Sequence, residues 1–501
     1  MAKFNTPKQE AAVVKNQAGG RAFEIKDPHF KLYMATAANM VSDSFYQKES
    51  ENLKQVRSLV SECEPEFVAK LAYYLRKEMN MRSIAIVLLV ELAKIHRGDD
   101  LVGRAVFNTI QRADEMSEVL AYYASQNKSG LRKMSKQIQK GVAAAFSKFD
   151  EYQFSKYKKS RAEITLRDAM FLTHPKPKTL VEEILFNKIA NDTLPAPETW
   201  EAAKSSGKEG KKVWEDMIGS KKIGYMALLR NLRNIIEDGT SKEYIDMALA
   251  YLINEKAIEN SKQLPFRFYT AFREIDALNI DPFLKKEVLE AIRVAGEHSM
   301  RNLKLFAPDE RVISFSDVSG SMGSPVSAMS SVRCAEVALF YGAMLAKKNK
   351  GCLSGYFGTS YGIESTMQDP FTVASKHGAL GNKYGHGTNP ETAIRGMISK
   401  NVYVDTVVMF TDVQFWETHV IYKTRDHIAF WNEWKNYKKH VNPNARLILV
   451  DLANSSTTSP IKFTDKEMLV CGFSDKTFSL MANLERSQDV LKDILSVELN
   501  W

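Results

Sequence analysis

Asp317, Ser319 and Ser321 stand on alternate residues of the stretch Asp317-Val318-Ser319-Gly320-Ser321, so one short turn carries a carboxylate and two hydroxyls. Gly387-Thr388 and Thr411-Asp412, further along, add a third hydroxyl and a second carboxylate. Asp317, Ser319, Ser321, Thr388 and Asp412 are all hard oxygen donors, a set that suits Mg²⁺ or Mn²⁺, with water and an incoming ligand completing an octahedron. A D-x-S-x-S turn alone is also a common Ser/Gly-rich loop. Its position favours the metal: a buried apolar run precedes it, a helical stretch follows, and a Thr-Asp pair ends another buried run. No general base or nucleophile of recognisable spacing accompanies the five residues. The site is therefore expected to bind and not to cleave, and a metal-dependent phosphatase or nuclease, with one metal and no base, is the weakest reading.

The second chemistry-bearing feature is charge. Residues 128 to 178 hold 13 Lys/Arg against four Asp/Glu, an excess equal to the +9 of the whole chain. Such concentration points to a polyanionic partner. Within it, Leu131, Met134, Ile138, Val142, Ala145 and Phe149 predict one apolar stripe of a helix over 131–149, with Lys133, Lys136 and Lys140 on the opposite side and no Glu to pair with them. Lys156-Tyr157-Lys158-Lys159-Ser160-Arg161 and Thr173-His174-Pro175-Lys176-Pro177-Lys178 continue the segment. Basic residues with an interleaved tyrosine can contact phosphates and offer a stacking surface, as single-stranded or irregular RNA requires. A plain solvated lysine face is the competing reading, and His174 stays open between an RNA contact and a structural residue beside proline. A membrane surface is disfavoured, because no apolar face is left beside the lysines for insertion.

These residues need elements to position them. The 501 residues, 44% apolar and 26% charged, describe a globular chain of more than one domain. From Asp27 to Met300 apolar residues recur at helical spacing and loop signals return every 15 to 25 residues, from Glu64-Pro65 to Asp281-Pro282, predicting a divergent HEAT-like α-solenoid. After Ala307-Pro308, short apolar runs (312–315, 352–357, 406–410 and 447–450) alternate with helical stretches, the pattern of a doubly wound α/β domain on a parallel sheet. Asp317, Asp412 and Asp451 follow three of those runs, so they belong at the carboxyl edge where such sheets bind ligands. The expected organisation is an arm over 1–26, helices over 27–307 and the α/β domain over 308–501. Four scattered cysteines suggest neither disulfides nor zinc, and with no signal-peptide core a reducing cytoplasm fits best.

The combination resembles the Ro autoantigen family, a TROVE module followed by a von Willebrand factor A domain. The resemblance runs from about Asp27 onward and rests on the order of the modules, on Lys156-Tyr157-Lys158-Lys159, Arg161, Arg167-Asp168 and Leu172-Thr173-His174-Pro175-Lys176-Pro177, and on Asp317-Val318-Ser319-Gly320-Ser321-Met322. It implies a helical array closed into a ring that binds Y-like noncoding RNA on a basic outer surface and single-stranded 3′ ends of misfolded RNA in its hole. It also implies a metal-ion-dependent adhesion site at Asp317, Ser319, Ser321, Thr388 and Asp412, and RNA contacts at Lys156, Arg161 and His174, with Lys158 or Lys159 sharing the role. The expected protein is a non-enzymatic, monomeric scaffold of a small ribonucleoprotein, tethered through its RNA to a 3′ exonuclease such as polynucleotide phosphorylase. The alternative is a metal-dependent protein-interaction scaffold with an incidental basic surface.

Overall fold

The computed structural model describes residues 13–15, 21–24, 26–37, 51–127, 130–131, 133–158, 163–195, 200–205, 207–303, 306–307, 309–326, 330–349, 352–364, 369–415, 428–453, 458–462, 466–471 and 490–501. Two compact units divide the chain, one of residues 1–39 with 303–488, the other of 40–302 with 489–501.

The first unit is built on a six-stranded sheet ordered β5-β4-β3-β6-β7-β9. Its strands are β3 (Val312–Asp317), β4 (Leu353–Phe357), β5 (Tyr361–Glu364), β6 (Thr406–Thr411), β7 (Arg446–Asp451) and β9 (Glu467–Cys471). Every residue of β3 and β6 is buried, which is why these segments read as continuous apolar runs. All neighbours pair in parallel except β4 and β5, whose antiparallel pairing makes the sheet mixed and not wholly parallel as the runs predicted. From β3 the chain winds outward through β4 and β5, then returns to β6 on the other side of β3. The topological switch point therefore falls between β3 and β6, the place at whose strand ends open α/β sheets bind ligands. A second, three-stranded antiparallel sheet joins β1 (Val13–Lys15), β2 (Arg21–Glu24) and β8 (Thr458–Ser459).

Helix α1 (Pro28–Ala37) belongs to this unit, although its spacing alone matches the helical array. The principal helix is α18 (Cys334–Lys348), buried over nearly its whole length. It lies close on the sheet because residue 342 is glycine: a Cβ there would sit 2.6 Å from Ser316 Oγ. The hydroxyls of Ser314 and Ser316 donate to the carbonyls of Gly342 and Ala338, so the polar residues of β3 are satisfied against the helix backbone. Helices α19 (Pro370–Ser375), α20 (His377–Tyr384), α21 (Glu391–Ser399) and α22 (Ala429–His440) are the unit's other α-helices among the described residues.

The second unit is helical. Its first half runs α2 (Glu51–Glu62), α3 (Pro65–Lys77), α4 (Arg82–Ile95), α5 (Leu101–Thr109), α6 (Ala113–Gln126), α7 (Lys136–Ala145), α8 (Glu151–Tyr157), α9 (Leu166–Thr173) and α10 (Leu180–Ala190). The remainder is α11 (Trp200–Ser205), α12 (Gly210–Gly219), α13 (Tyr225–Glu237), α14 (Lys242–Leu252), α15 (Glu255–Ser261), α16 (Pro265–Asp276) and α17 (Pro282–Ser299). The principal packing partners lie one to three helices apart in the chain, as in a solenoid. The last segment differs from the expected division: α23 (Val490–Leu495) packs on α3, and Lys70 Nζ donates to Leu495 O at 2.7 Å. Helical and apolar spacing identify an element but not its partner, so the assignment of both α1 and α23 required the tertiary fold.

Candidate functional site

At the switch point, Asp317 is the last residue of β3 and Asp412 follows the last residue of β6. Asp317 is wholly buried. Its Oδ1 accepts from the Ser319 backbone N–H at 2.9 Å and its Oδ2 from the Thr411 hydroxyl at 2.7 Å. Ser319 Oγ lies 3.2 Å from Ser321 Oγ, and the Ser321 hydroxyl in turn bonds the Asp412 side chain. Thr388, also buried, arrives on a loop tied to the same turn by Gly320 N–H donating to His386 O at 3.0 Å. That loop is pinned from behind by Gly387 N–H to Thr359 Oγ1 and Asn389 N–H to Gly358 O. The crossing is so close that a Cβ at residue 358 would lie 2.0 Å from Gly385 O. The structure thus brings Asp317, Ser319, Ser321 and Asp412 together at the strand ends, with Thr388 on the loop tied to the same turn.

Burial, and then the neighbouring Asp412 charge, push the Asp317 carboxyl above its usual range; burial likewise raises Asp412, against the opposing hydrogen bond from Ser321. Two desolvated carboxylates side by side resist ionising together, a condition a divalent cation relieves. Among the described residues no three His, Cys, Asp or Glu side chains converge, so a cation here would be held by hydroxyls with this carboxylate pair. The donor set fits a small hard cation. The sequence marks Thr411 only as the partner of Asp412 at a buried strand end and not as a site residue; that it orients Asp317 follows from β6 lying beside β3. Asp451, opposite Thr411 in the register, is buried beside the site and accepts from Ala453 N–H at 3.1 Å.

The basic segment is arranged differently from its predicted helix. The α-helical part begins at Lys136 and ends at Ala145, continuing as a 3₁₀ turn to Lys148. Lys133 therefore lies in the turn before α7 and not on its face. A preceding turn, in which Gly130 adopts φ 55°, breaks the periodicity, and the Tyr123 hydroxyl bonds both Lys133 O and Ser135 N–H. Ile138, Gly141, Val142 and Ala145 form the buried face, and Lys136 and Lys140 are exposed. Lys148 is half-buried and turned to the helix array: its Nζ donates to the carbonyls of Phe107 and Ile110 at the end of α5, and burial pushes it down to about 8.

Lys140, His174 and Lys176 meet around one depression of about 270 Å³, joined there by Lys178 and floored in part by Phe186. His174 terminates α9 in the left-handed conformation, φ 51°, which turns the chain so that the His-Pro-Lys-Pro-Lys stretch runs beside α7. Gln139 of α7 donates to Leu172 O at 3.0 Å and fixes the two helices together. Lys156, exposed on α8, is grouped instead with two tyrosines, its Nζ 5.7 Å from the Tyr152 ring centre and 5.6 Å from that of Tyr157. Tyr157 carries the Arg112 guanidinium 4.4 Å above its ring, so the interleaved tyrosine is partly covered, and the 55% exposed Tyr152 is the freer ring. Lys158 is paired with Asp192 at 2.5 Å. Lys159 and Arg161 lie outside the described residues. Lys178 and the exposed pair Arg167 and Phe171, 5.5 Å apart, are candidates that the sequence reading did not single out.

A helical array followed by a sheet domain with oxygen donors at its switch point defines a helical-repeat protein carrying a von Willebrand factor A-type domain. The TROVE domain family matches residues 30–193 and 190–312, and the Ro60 vWA domain family matches 311–485; the chain belongs to the Ro family of TROVE proteins. The fold is similar to that in the crystal structure of the Deinococcus radiodurans RO (RSR) protein, with TM-score 0.63 and 15% identity, over 92% of this chain and 99% of that one. Among curated proteins, telomerase protein component 1 of Rattus norvegicus is 24% identical over 325 residues and that of Mus musculus 24% over 327. Each match covers 49% of this chain and only 12% of the relative's length. Among the described residues no helix is long and apolar enough to cross a membrane.

Proposed function

We propose that the chain is the RNA-binding scaffold of a small ribonucleoprotein and that it has no catalytic role of its own. The observation that carries this reading is the convergence of Lys140, His174, Lys176 and Lys178 on one depression between α7 and α9. Lysine ammonium groups supply phosphate contacts, and a histidine ring and the floor of the depression can meet a base. Y-like noncoding RNA and single-stranded 3′ ends of misfolded RNA are the ligands that family membership suggests, within RNA quality control or turnover. A 3′ exonuclease such as polynucleotide phosphorylase would then be joined through the RNA. Sequencing the RNA that copurifies with the full chain, with and without nuclease treatment before pull-down, tests both statements. Recovery of a protein partner independently of RNA would instead favour the protein-interaction reading.

The A-type domain adds a separate activity to this reading. Asp317, Ser319, Ser321, Thr388 and Asp412 would hold Mg²⁺ or Mn²⁺, and the cation would offer an open coordination position to an oxygen ligand. The two buried carboxylates, held above their usual range, support it. Calorimetric titration of the full chain with Mg²⁺ measures it directly, and Asp317→Ala should abolish the heat.

A further inference from the structure

Trp501 is an exposed aromatic residue held at the edge of the basic helix. Its indole N–H donates to Asp100 Oδ2 at 2.7 Å. Its neighbours are also tied down, with Arg104 donating to Leu499 O and Asn108 to Asn500 O. Part of the ring is covered: Phe107 lies 6.2 Å away between centroids, and a Cβ at residue 103 would stand 2.8 Å from Trp501 Cη2, so the ring lies close over Gly103. The same Cβ would stand 2.7 Å from Gln137 Oε1, so Trp501 and Gln137 border one space. At roughly 100° per residue, Gln137 is about 100° from Lys136 and about 60° from Lys140 around α7. The indole therefore flanks the ridge of exposed lysines, on the other side from α9 and His174.

After all these contacts Trp501 still exposes 52% of its surface. A side chain already held by a hydrogen bond and covered on one part, in a residue still half exposed, meets the requirement for stacking at little further entropic cost. Asp100 does not oppose a phosphate strongly, since Arg104 Nε lies 2.9 Å from its carboxylate.

We propose that Trp501 is a base-stacking platform that extends the RNA surface of α7, so that a single strand lying on Lys136 and Lys140 places one base against the indole. This rests on the RNA-binding reading above and adds a contact with bases to one with phosphates. Fluorescence anisotropy of the full chain is measured with two labelled probes of equal phosphate number, an oligoadenylate and an abasic oligomer of the same length. Stacking on an aromatic side chain is worth about 5- to 150-fold in affinity per base. Trp501→Ala should weaken oligoadenylate binding within that range and leave the abasic probe unchanged, and Trp501→Phe should retain most of the affinity. Unchanged oligoadenylate binding by Trp501→Ala overturns the proposal, as does an equal loss on both probes, which would assign Trp501 to tail docking alone. If the unmodified chain binds neither probe nor structured RNA, the RNA-binding reading itself fails.

Discussion

Replacing Lys140, Lys176 and Lys178 together by alanine removes the lysines that line the depression beside His174. Each phosphate neutralised on a single strand contributes about 0.7 to the negative slope of log K against log salt. If each lysine meets one phosphate, the triple variant loses about 2 from that slope. Between about 50 and 200 mM salt the affinity of the unmodified chain should then fall roughly 20-fold more than that of the variant. Filter binding with a labelled single-stranded RNA over that range measures both slopes. Lys188 serves as control: its Nζ is 2.9 Å from Glu151 and it does not line the depression, so Lys188→Ala should leave the slope where it was. Parallel lines for the triple variant and the unmodified chain would refute the assignment of the depression to RNA, whatever the absolute affinities.

Three further outcomes are expected. Lys148 falls to about 8 from the usual 10.5, so between those values the unfolded chain holds more protons than the folded one and stability rises with pH, the penalty being fully present below pH 8. Partial exposure leaves this at about 2 kcal/mol; urea unfolding between pH 7.5 and 10 should show an increment that Lys148→Met lacks, and identical profiles would sink the claim. Asp317→Asn removes one of two mutually repelling buried carboxylates, so the metal-free Tm should hold or rise while the stabilisation by Mg²⁺, about 2.7 kcal/mol at a hundred times Kd, disappears. RNA affinity should be unaffected, and its parallel loss would show that the two sites are coupled. Gly342→Ala presses a methyl to 2.6 Å from Ser316 Oγ and should cost about 1 to 3 kcal/mol in thermal unfolding; adding Ser316→Ala should restore part of it, and no recovery would mean the strain lies elsewhere.

The buried strands were legible because burial on both faces leaves a direct trace in composition, as in Val312–Asp317 and Thr406–Thr411. Strand β5 was not, since Tyr361–Glu364 sits at the sheet edge, half-buried and carrying a glycine and a glutamate. The oxygen residues could be read because a turn after such a strand has little choice of position, whereas Thr411 required knowing that β6 lies beside β3. In the basic segment the composition was visible but not its division of labour. Thirteen cations look alike in a sequence, yet Lys148 caps α5, Lys158 meets Asp192, and Lys140, Lys176 and Lys178 share a depression. Long-range packing separates these roles, and local periodicity does not report it.

Segments from opposite parts of the chain complete each unit: β1, β2 and α1 belong with the sheet, and residues 490–501 belong with the helices. Neither unit is therefore a continuous stretch of polypeptide. During synthesis the helices over 51–299 emerge long before α23 and Trp501, so α3 and α5 must wait, with an incomplete surface, for residues 490–501 to be made. A fragment cut between the units, such as 40–302, would lack that covering segment throughout its life, and one ending at 488 would expose the same face.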